Sequence, residues 1–178
     1  NTDQKNNLFV YLFNNHLPRG FFVNDYVIIK DEIERIKTIN NKEFDPGKTA
    51  IVEAEIPQQV NKPDSSYSRW VDFTPNLSKF EVYTDKQALF VISEVDYPPG
   101  WKYYLDGTLK DDIYKTDHAI QSVVVPEGKH TVELRFEPDS FTQDLRLSYA
   151  SVSIIYILII ISLIIENRNK ILSMINKK

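Results

Sequence analysis

Three carboxylates, Glu94, Asp96 and Asp106, fall close together in the sequence. Two carboxyl groups flanking a bond are the equipment of glycoside hydrolysis, one protonating the leaving oxygen and the other serving as base or nucleophile. Acids beside turns are commonplace, however, and nothing in the sequence fixes the separation of these three. His16, His118 and His130 share no metal-ligand spacing, and His130 falls on the apolar face of an alternating segment, where a partly buried, hydrogen-bonded imidazole is expected. Asp111, Asp112 and Asp117 match no calcium-loop pattern. The chain has no cysteine, which excludes thiolate metal sites and a Cys nucleophile. It also shows no nucleophile elbow, Walker loop or dinucleotide fingerprint. The expectation is therefore no catalytic residue, no metal and no cofactor in this segment. The remaining candidates are aromatic. Tyr97, Trp101 and Tyr104 carry flat faces with polar edges, which suit stacking on a sugar ring. Alternation puts Trp101, Tyr103 and Leu105 on one face and Lys102 with Tyr104 on the other. If Trp101 fills the core, Tyr104 is the exposed candidate.

The elements that would position these residues are mostly strands. His130, Val132, Leu134 and Phe136 alternate with Thr131, Glu133 and Arg135, and Phe80, Val82 and Thr84 alternate with Lys79, Glu81 and Tyr83. Both read as half-buried strands. Ala88–Ile92 is a continuous apolar run of strand length, Ala119–Val125 is a largely apolar one, and Leu8–Phe13, Phe21–Ile29 and Thr49–Val52 also read as strands. Trp101–Leu105 and Thr108–Tyr114 flank Asp106-Gly107, a dipeptide favoured in two-residue hairpins. One helix is expected over about 31–40: Ile33, Ile36 and Ile39 form a stripe, Asp31 caps, and Glu34 stands where a capping-box acid reaches back. Gln58–Ser68, with Pro63 and few apolar residues, reads as a surface loop. Short strands joined by turns predict a mainly β, antiparallel sandwich of immunoglobulin-like or jelly-roll-like type over residues 1–147.

Residues 148–165 differ in kind. No charge interrupts the sequence between Arg146 and Glu166, and isoleucine, leucine and valine dominate. As a helix this run rises roughly 27 Å, enough for a hydrocarbon core about 30 Å thick. A single transmembrane helix is predicted, followed by a basic tail over 166–178. Arg168, Lys170, Lys177 and Lys178 narrowly outweigh the cations ahead of the span, so the tail is expected in the cytoplasm and the β domain outside. The net charge of -4 and pI near 5.4 argue against a nucleic-acid partner. No basic-then-apolar leader follows Asn1, so the chain reads as part of a longer protein.

The run Ile92-Ser-Glu-Val-Asp-Tyr-Pro-Pro-Gly-Trp-Lys-Tyr-Tyr-Leu-Asp-Gly107 resembles a signature near the C-terminus of the YfhO-like bacterial membrane proteins. Val125-Pro-Glu-Gly-Lys-His130 is similar to the hairpin that follows it there, and Phe136-Glu-Pro-Asp-Ser-Phe141 to the stretch leading into the last span. Leu17-Pro-Arg-Gly-Phe21 and Phe44-Asp-Pro46 fit earlier segments in order. Departures are Pro98 ahead of Pro99-Gly100-Trp101, and Leu105 where valine is usual.

The resemblance implies a polytopic parent like the GT-C glycosyltransferases, which use polyprenyl-phosphate sugars to glycosylate cell-surface polymers such as lipoteichoic acid. This chain would be its extracytoplasmic C-terminal domain and final span, serving as an acceptor-binding or scaffolding part. The catalytic acid of such enzymes lies in an early loop, so no catalytic residue carries over. Expected partners are the membrane, a cell-surface glycan or lipid-linked sugar, and the rest of the parent. The alternative is a singly anchored carbohydrate-binding or adhesive module without catalytic activity.

Overall fold

The computed structural model describes residues 2–3, 8–9, 11 and 16–175. Two units follow one another in the chain, Asn1–Phe136 and Glu137–Lys178. The division lies ahead of the predicted boundary at 147 because the helix that carries the apolar run begins already at Asp139.

The first unit is a β-sandwich. Its strands are β1 (Thr2–Asp3), β2 (Leu8–Phe9), β3 (Gly20–Phe22), β4 (Asp25–Ile28), β5 (Thr49–Val52), β6 (Ser66–Thr74), β7 (Leu77–Thr84), β8 (Ala88–Val95), β9 (Trp101–Leu105), β10 (Thr108–Lys110), β11 (Ile113–Thr116), β12 (Ile120–Val125) and β13 (Gly128–Phe136). One sheet has the order β10-β9-β13-β7-β6, and the other β3-β8-β12-β11-β5-β4. Phe80, Val82, Tyr103, Val132 and Leu134 of the first sheet meet Phe90, Ile92, Val123 and Val125 of the second. Tyr103, fully enclosed, donates its hydroxyl to the Val124 carbonyl (3.2 Å), so the ring is buried without stranding its polar atom.

The central strands β8 and β12 of the six-stranded sheet are buried on both faces, Gln121 and Ser122 included, which is why apolar residues fill successive positions over 88–92 and 123–125. Leu89, Val91 and Val124 point away from the inter-sheet core and pack with Val23, Ala50, Val52 and Ile56. Gly20 lies where β3 enters the sandwich. A Cβ there would meet the Phe90 ring at 2.5 Å and the Phe80 ring at 2.9 Å, so only hydrogen fits.

Four details depart from the sequence reading. The predicted strand Phe21–Ile29 breaks at Val23-Asn24 into β3 and β4. Thr108–Tyr114 breaks at Asp111-Asp112, and β11 crosses to the other sheet, where it pairs with β12. Gln58–Ser68 is a loop only as far as Ser65, because β6 starts at Ser66. β4 and β5 are parallel, and a parallel pair requires a crossover, which α1 (Glu32–Ile39) supplies. Of the predicted strand Leu8–Phe13, only Leu8–Phe9 is a described strand; residues 10 and 12–15 lie outside the described residues.

Helix α1 begins as expected, with Glu34 N–H donating to the Asp31 side chain at 2.8 Å. Its buried face is not the isoleucine stripe. Ile33 is 63 % exposed and Ile36 also faces solvent, while Arg35 is 4 % exposed. The Arg35 guanidinium donates to the carbonyls of Ile29 and Lys30 and pairs with Glu53 at 2.8 Å. It thereby satisfies backbone acceptors at the end of β4 that a leucine would leave unpaired.

The second unit is one helix, α2 (Asp139–Ile175), whose stretch from Asp139 to Ile165 is long and apolar enough to cross a membrane. Ser151 and Ser153 return their hydroxyls to the carbonyls of Leu147 and Tyr149 (both 2.8 Å). Their polarity is absorbed inside the helix, which lets serine sit in an apolar run. The predicted tail continues the helix to Ile175; residues 176–178 lie outside the described residues.

Candidate functional site

The antiparallel register defines two ends of the sandwich. At one, β7 and β13 meet as Thr84 opposite Gly128; at the other, Leu77 lies opposite Arg135 and Trp101 opposite Phe136. The second is the end from which the chain leaves β13, and it is called the exit end below.

The first end, with the hairpin turn of β9 and β10 nearby, is organised by Asp106. Asp106 and Gly107 both have positive φ (51° and 79°), as a tight hairpin demands. The Asp106 carboxylate accepts from Thr131 N–H (2.8 Å) and meets His130 Nδ1 (2.7 Å). Burial raises its pKa, but the Thr131 and His130 hydrogen bonds outweigh that and hold it below the usual carboxylate range. Tyr67, Asp106, Lys129 and His130 help line a shallow recess of about 210 Å³, smaller than a drug-sized pocket.

The exit end is organised by rings. Gly100 N–H donates to the Tyr97 carbonyl (2.9 Å), closing a turn. Tyr97 stacks on Phe136 with centroids 6.0 Å apart, and Trp101 meets the same ring edge-on at 5.3 Å. A Cβ on Gly100 would lie 2.0 Å from the Phe136 ring, so glycine is required there by packing. On the neighbouring edge Arg19 lies over Trp70 (5.1 Å) and Phe73 (5.4 Å). Arg19 also pairs with Glu94 at 3.2 Å, and Glu94 accepts from the buried Ser78 hydroxyl at 2.6 Å.

The predicted sugar-stacking residues do not form one site. Trp101 is half-buried against the inter-sheet core, on the face that alternation assigned to it. Tyr97 is exposed at the exit end, and Tyr104 lies on the outer face of the five-stranded sheet, with the Arg135 guanidinium 4.2 Å above its ring. That outer face carries Arg69, Lys79, Lys102, Lys129 and Arg135 against Asp72, Glu81 and Glu133. Lys79 and Arg135 both grip Glu133, at 3.0 and 2.6 Å. Burial raises the Glu133 pKa, and these two cations more than reverse it. Tyr67 and Tyr83 stack there across β6 and β7, 5.9 Å apart.

The carboxylates of the hydrolase reading are separated: Glu94 is held by Ser78 and Arg19 near the exit end, whereas Asp106 is held by His130 and Thr131 toward the other. Asp96 has its pKa raised, chiefly by burial. Asp112 accepts from Gln58, and Asp117 accepts from Ile51 N–H. Burial pushes the Asp117 carboxyl up. Among the described residues no group of three or more His, Asp or Glu side chains could hold a metal ion. The sequence reading missed Trp70 and Phe73 altogether, since it did not identify β6.

Comparison with protein-family models, curated proteins and solved structures finds no match.

Proposed function

We propose that this chain is the extracytoplasmic C-terminal accessory domain, with the final span, of a YfhO-like membrane glycosyltransferase, and that it positions the acceptor polymer. The observation that carries the reading is how residues of separate motif segments meet. Asp106 of the first segment bonds His130 of the second, and Gly100, Tyr97 and Trp101 all pack on Phe136 of the third. Segments recognised separately in the sequence are thus one structural unit, which is what a shared domain requires. The outer face of the five-stranded sheet suits an anionic or sugar-bearing polymer. It concentrates cations beside Tyr67, Tyr83 and Tyr104, although the chain as a whole is acidic.

Deleting residues 1–136 from the parent protein should impair glycosylation of the surface polymer while its membrane region stays intact, because acceptor placement governs much of a transfer barrier. Normal glycosylation by that truncated protein would favour the singly anchored display module instead. Sidedness has its own test in this cysteine-free chain. A cysteine at Lys62 should react with an impermeant thiol reagent in intact cells, and one at Asn176 should not.

A further inference from the structure

We infer that the exit end of the sandwich is a bilayer-docking surface, with Trp70, Val71 and Phe73 of β6 and Tyr97 after β8 entering the lipid interface. This rests on the reading of α2 as a membrane span.

These four side chains and Val95 are between 44 and 69 % exposed; Tyr67, Leu109 and Ile33 are exposed elsewhere on the unit, but they are scattered over different elements. Trp70 lies opposite Phe80, which faces Val132 midway along β13, and joins the exit end through its ring contact with Phe73, 5.0 Å away; the others are placed there by register. Phe73 lies opposite Ser78, close to the turn joining β6 to β7, and the Phe136 N–H of β13 donates to the Asn76 carbonyl in that turn. Val95 and Tyr97 enter the loop that precedes Trp101, itself opposite Phe136. A β-bulge between Trp70 and Asp72 adds a residue, so Val71 and Phe73 are offset from the alternation of the first half of β6.

The occupant is indicated by where the chain goes next. Only residues 137–147 separate Phe136 from the uncharged apolar run, and from Asp139 onward they are helical. Nine helical residues rise about 14 Å and two extended ones add less than about 10 Å. The covalent tether therefore limits the distance between Phe136 and the start of the run to about 25 Å. Tryptophan and tyrosine prefer the headgroup layer, with the ring in apolar surroundings and the polar edge in water. Charge agrees in part. Arg19 lies over the Trp70 and Phe73 rings, a cation of the kind that meets lipid phosphates, and Lys102 stands opposite Arg135 in the register, although Arg135 is held by Glu133. Asp72 and Asp96 stand at this end too, while Glu94 is already occupied by Arg19. A soluble glycan or a second copy could also cover exposed rings, but neither is tethered within reach as the bilayer is.

The test uses the full chain in phosphatidylcholine vesicles containing one-fifth phosphatidylglycerol as a roughly membrane-like anionic surface. Trp70 and Trp101 are the only tryptophans, so emission of the intact chain and of Trp70→Phe separates them. A nitroxide on the lipid headgroup should quench the intact chain more than one deep in the acyl chains does, and Trp70→Phe should lose most of that quenching. An alkaline wash is run on the same vesicles. Protein that resists the wash but shows no Trp70-dependent quenching overturns docking and leaves the span standing. Protein stripped by the wash overturns the span, and docking with it. Trp70 sheltered from aqueous acrylamide yet unquenched by either nitroxide means a second copy of the chain covers the ring, which also overturns the proposal.

Discussion

Gly100 and Gly107 stand at turns flanking β9, and they are glycine for different reasons. Gly107 has φ of +79° and nothing within 4 Å of a would-be Cβ. Its constraint is conformational, and the surrounding order comes from hydrogen bonds between Asp106, Thr131 and His130. Gly100 is absent from the positive-φ residues, yet its would-be Cβ falls inside the Phe136 ring. Its constraint is space, and the order around it comes from the contacts of Tyr97 and Trp101 with that ring. One turn is built from polar directionality, the other from aromatic packing, so substitutions should separate them.

The largest effect is expected at Gly100. Gly100→Ala forces the Phe136 ring to move, and overpacking of this kind costs about 1–3 kcal/mol, here toward the upper part of that range. Denaturant unfolding of the full chain in detergent measures it. Adding Phe136→Leu should return part of the loss, and no recovery would show that the strain lies elsewhere. Gly107→Ala comes next, at about 1–2 kcal/mol, the cost of an L-residue in the left-handed region. Gly107→Asn should cost less, since asparagine visits that region more readily. A rescue of Gly107→Ala by Phe136→Leu would erase the distinction between the two turns.

The polar turn should register acid through Asp106. The Asp106 carboxyl has a folded-state pKa below its unfolded value of about 3.9, so the folded chain holds its proton less tightly. The stabilisation is present above about pH 4 and is lost as pH falls through the depressed folded pKa. Asp106→Asn should flatten that part of the acid limb in unfolding measured at successive pH values. Glu133, depressed by Lys79 and Arg135 after burial is offset, keeps a residual acid sensitivity in the variant. An unchanged acid limb in Asp106→Asn would mean that the hydrogen bonds to Asp106 contribute nothing measurable.

What the sequence disclosed followed from local rules. Asp31 capping, the Asp106-Gly107 hairpin and the alternation of β7 and β13 need only neighbours a few residues away, and they appear where expected. The faces of Trp101 and Tyr104 came from the same rule. What stayed hidden depends on long-range partners. Arg35 is buried because carbonyls of β4 and Glu53 need its guanidinium, which a helical wheel cannot register. The chain changes sheets at Asp111-Asp112 although Thr108–Tyr114 reads as one segment. β6 escaped notice because its bulge shifts the alternation midway, leaving Tyr67, Trp70, Val71 and Phe73 without a period of two. The residues thereby missed are the ones that now mark the exit end.

The effect on stability at Trp70 is expected to be no larger than that at Gly107, and it sharpens the contrast between rings that hold the fold and rings that face outward. Phe136 is the floor on which Gly100, Tyr97 and Trp101 pack, whereas Trp70 is 44 % exposed and its ring meets Arg19 and Phe73. An exposed cation–π contact is worth about 0.5–1 kcal/mol and the ring pair with Phe73 about as much again, so Trp70→Ala should cost about 1–2 kcal/mol at most. Arg19 keeps its bond to Glu94 in the variant, which leaves no buried charge unpaired. Thermal unfolding of the full chain in detergent, where lipid docking is absent, isolates this intrinsic term. A loss of about 3 kcal/mol or more, the cost of truncating a core aromatic, would place Trp70 among the structural rings. The exit end would then have one aromatic cluster serving the fold and no surface to spare for lipid. A loss inside the range of those two ring contacts leaves the ring free for an outside partner, since the fold gains little from keeping so large an apolar side chain in water.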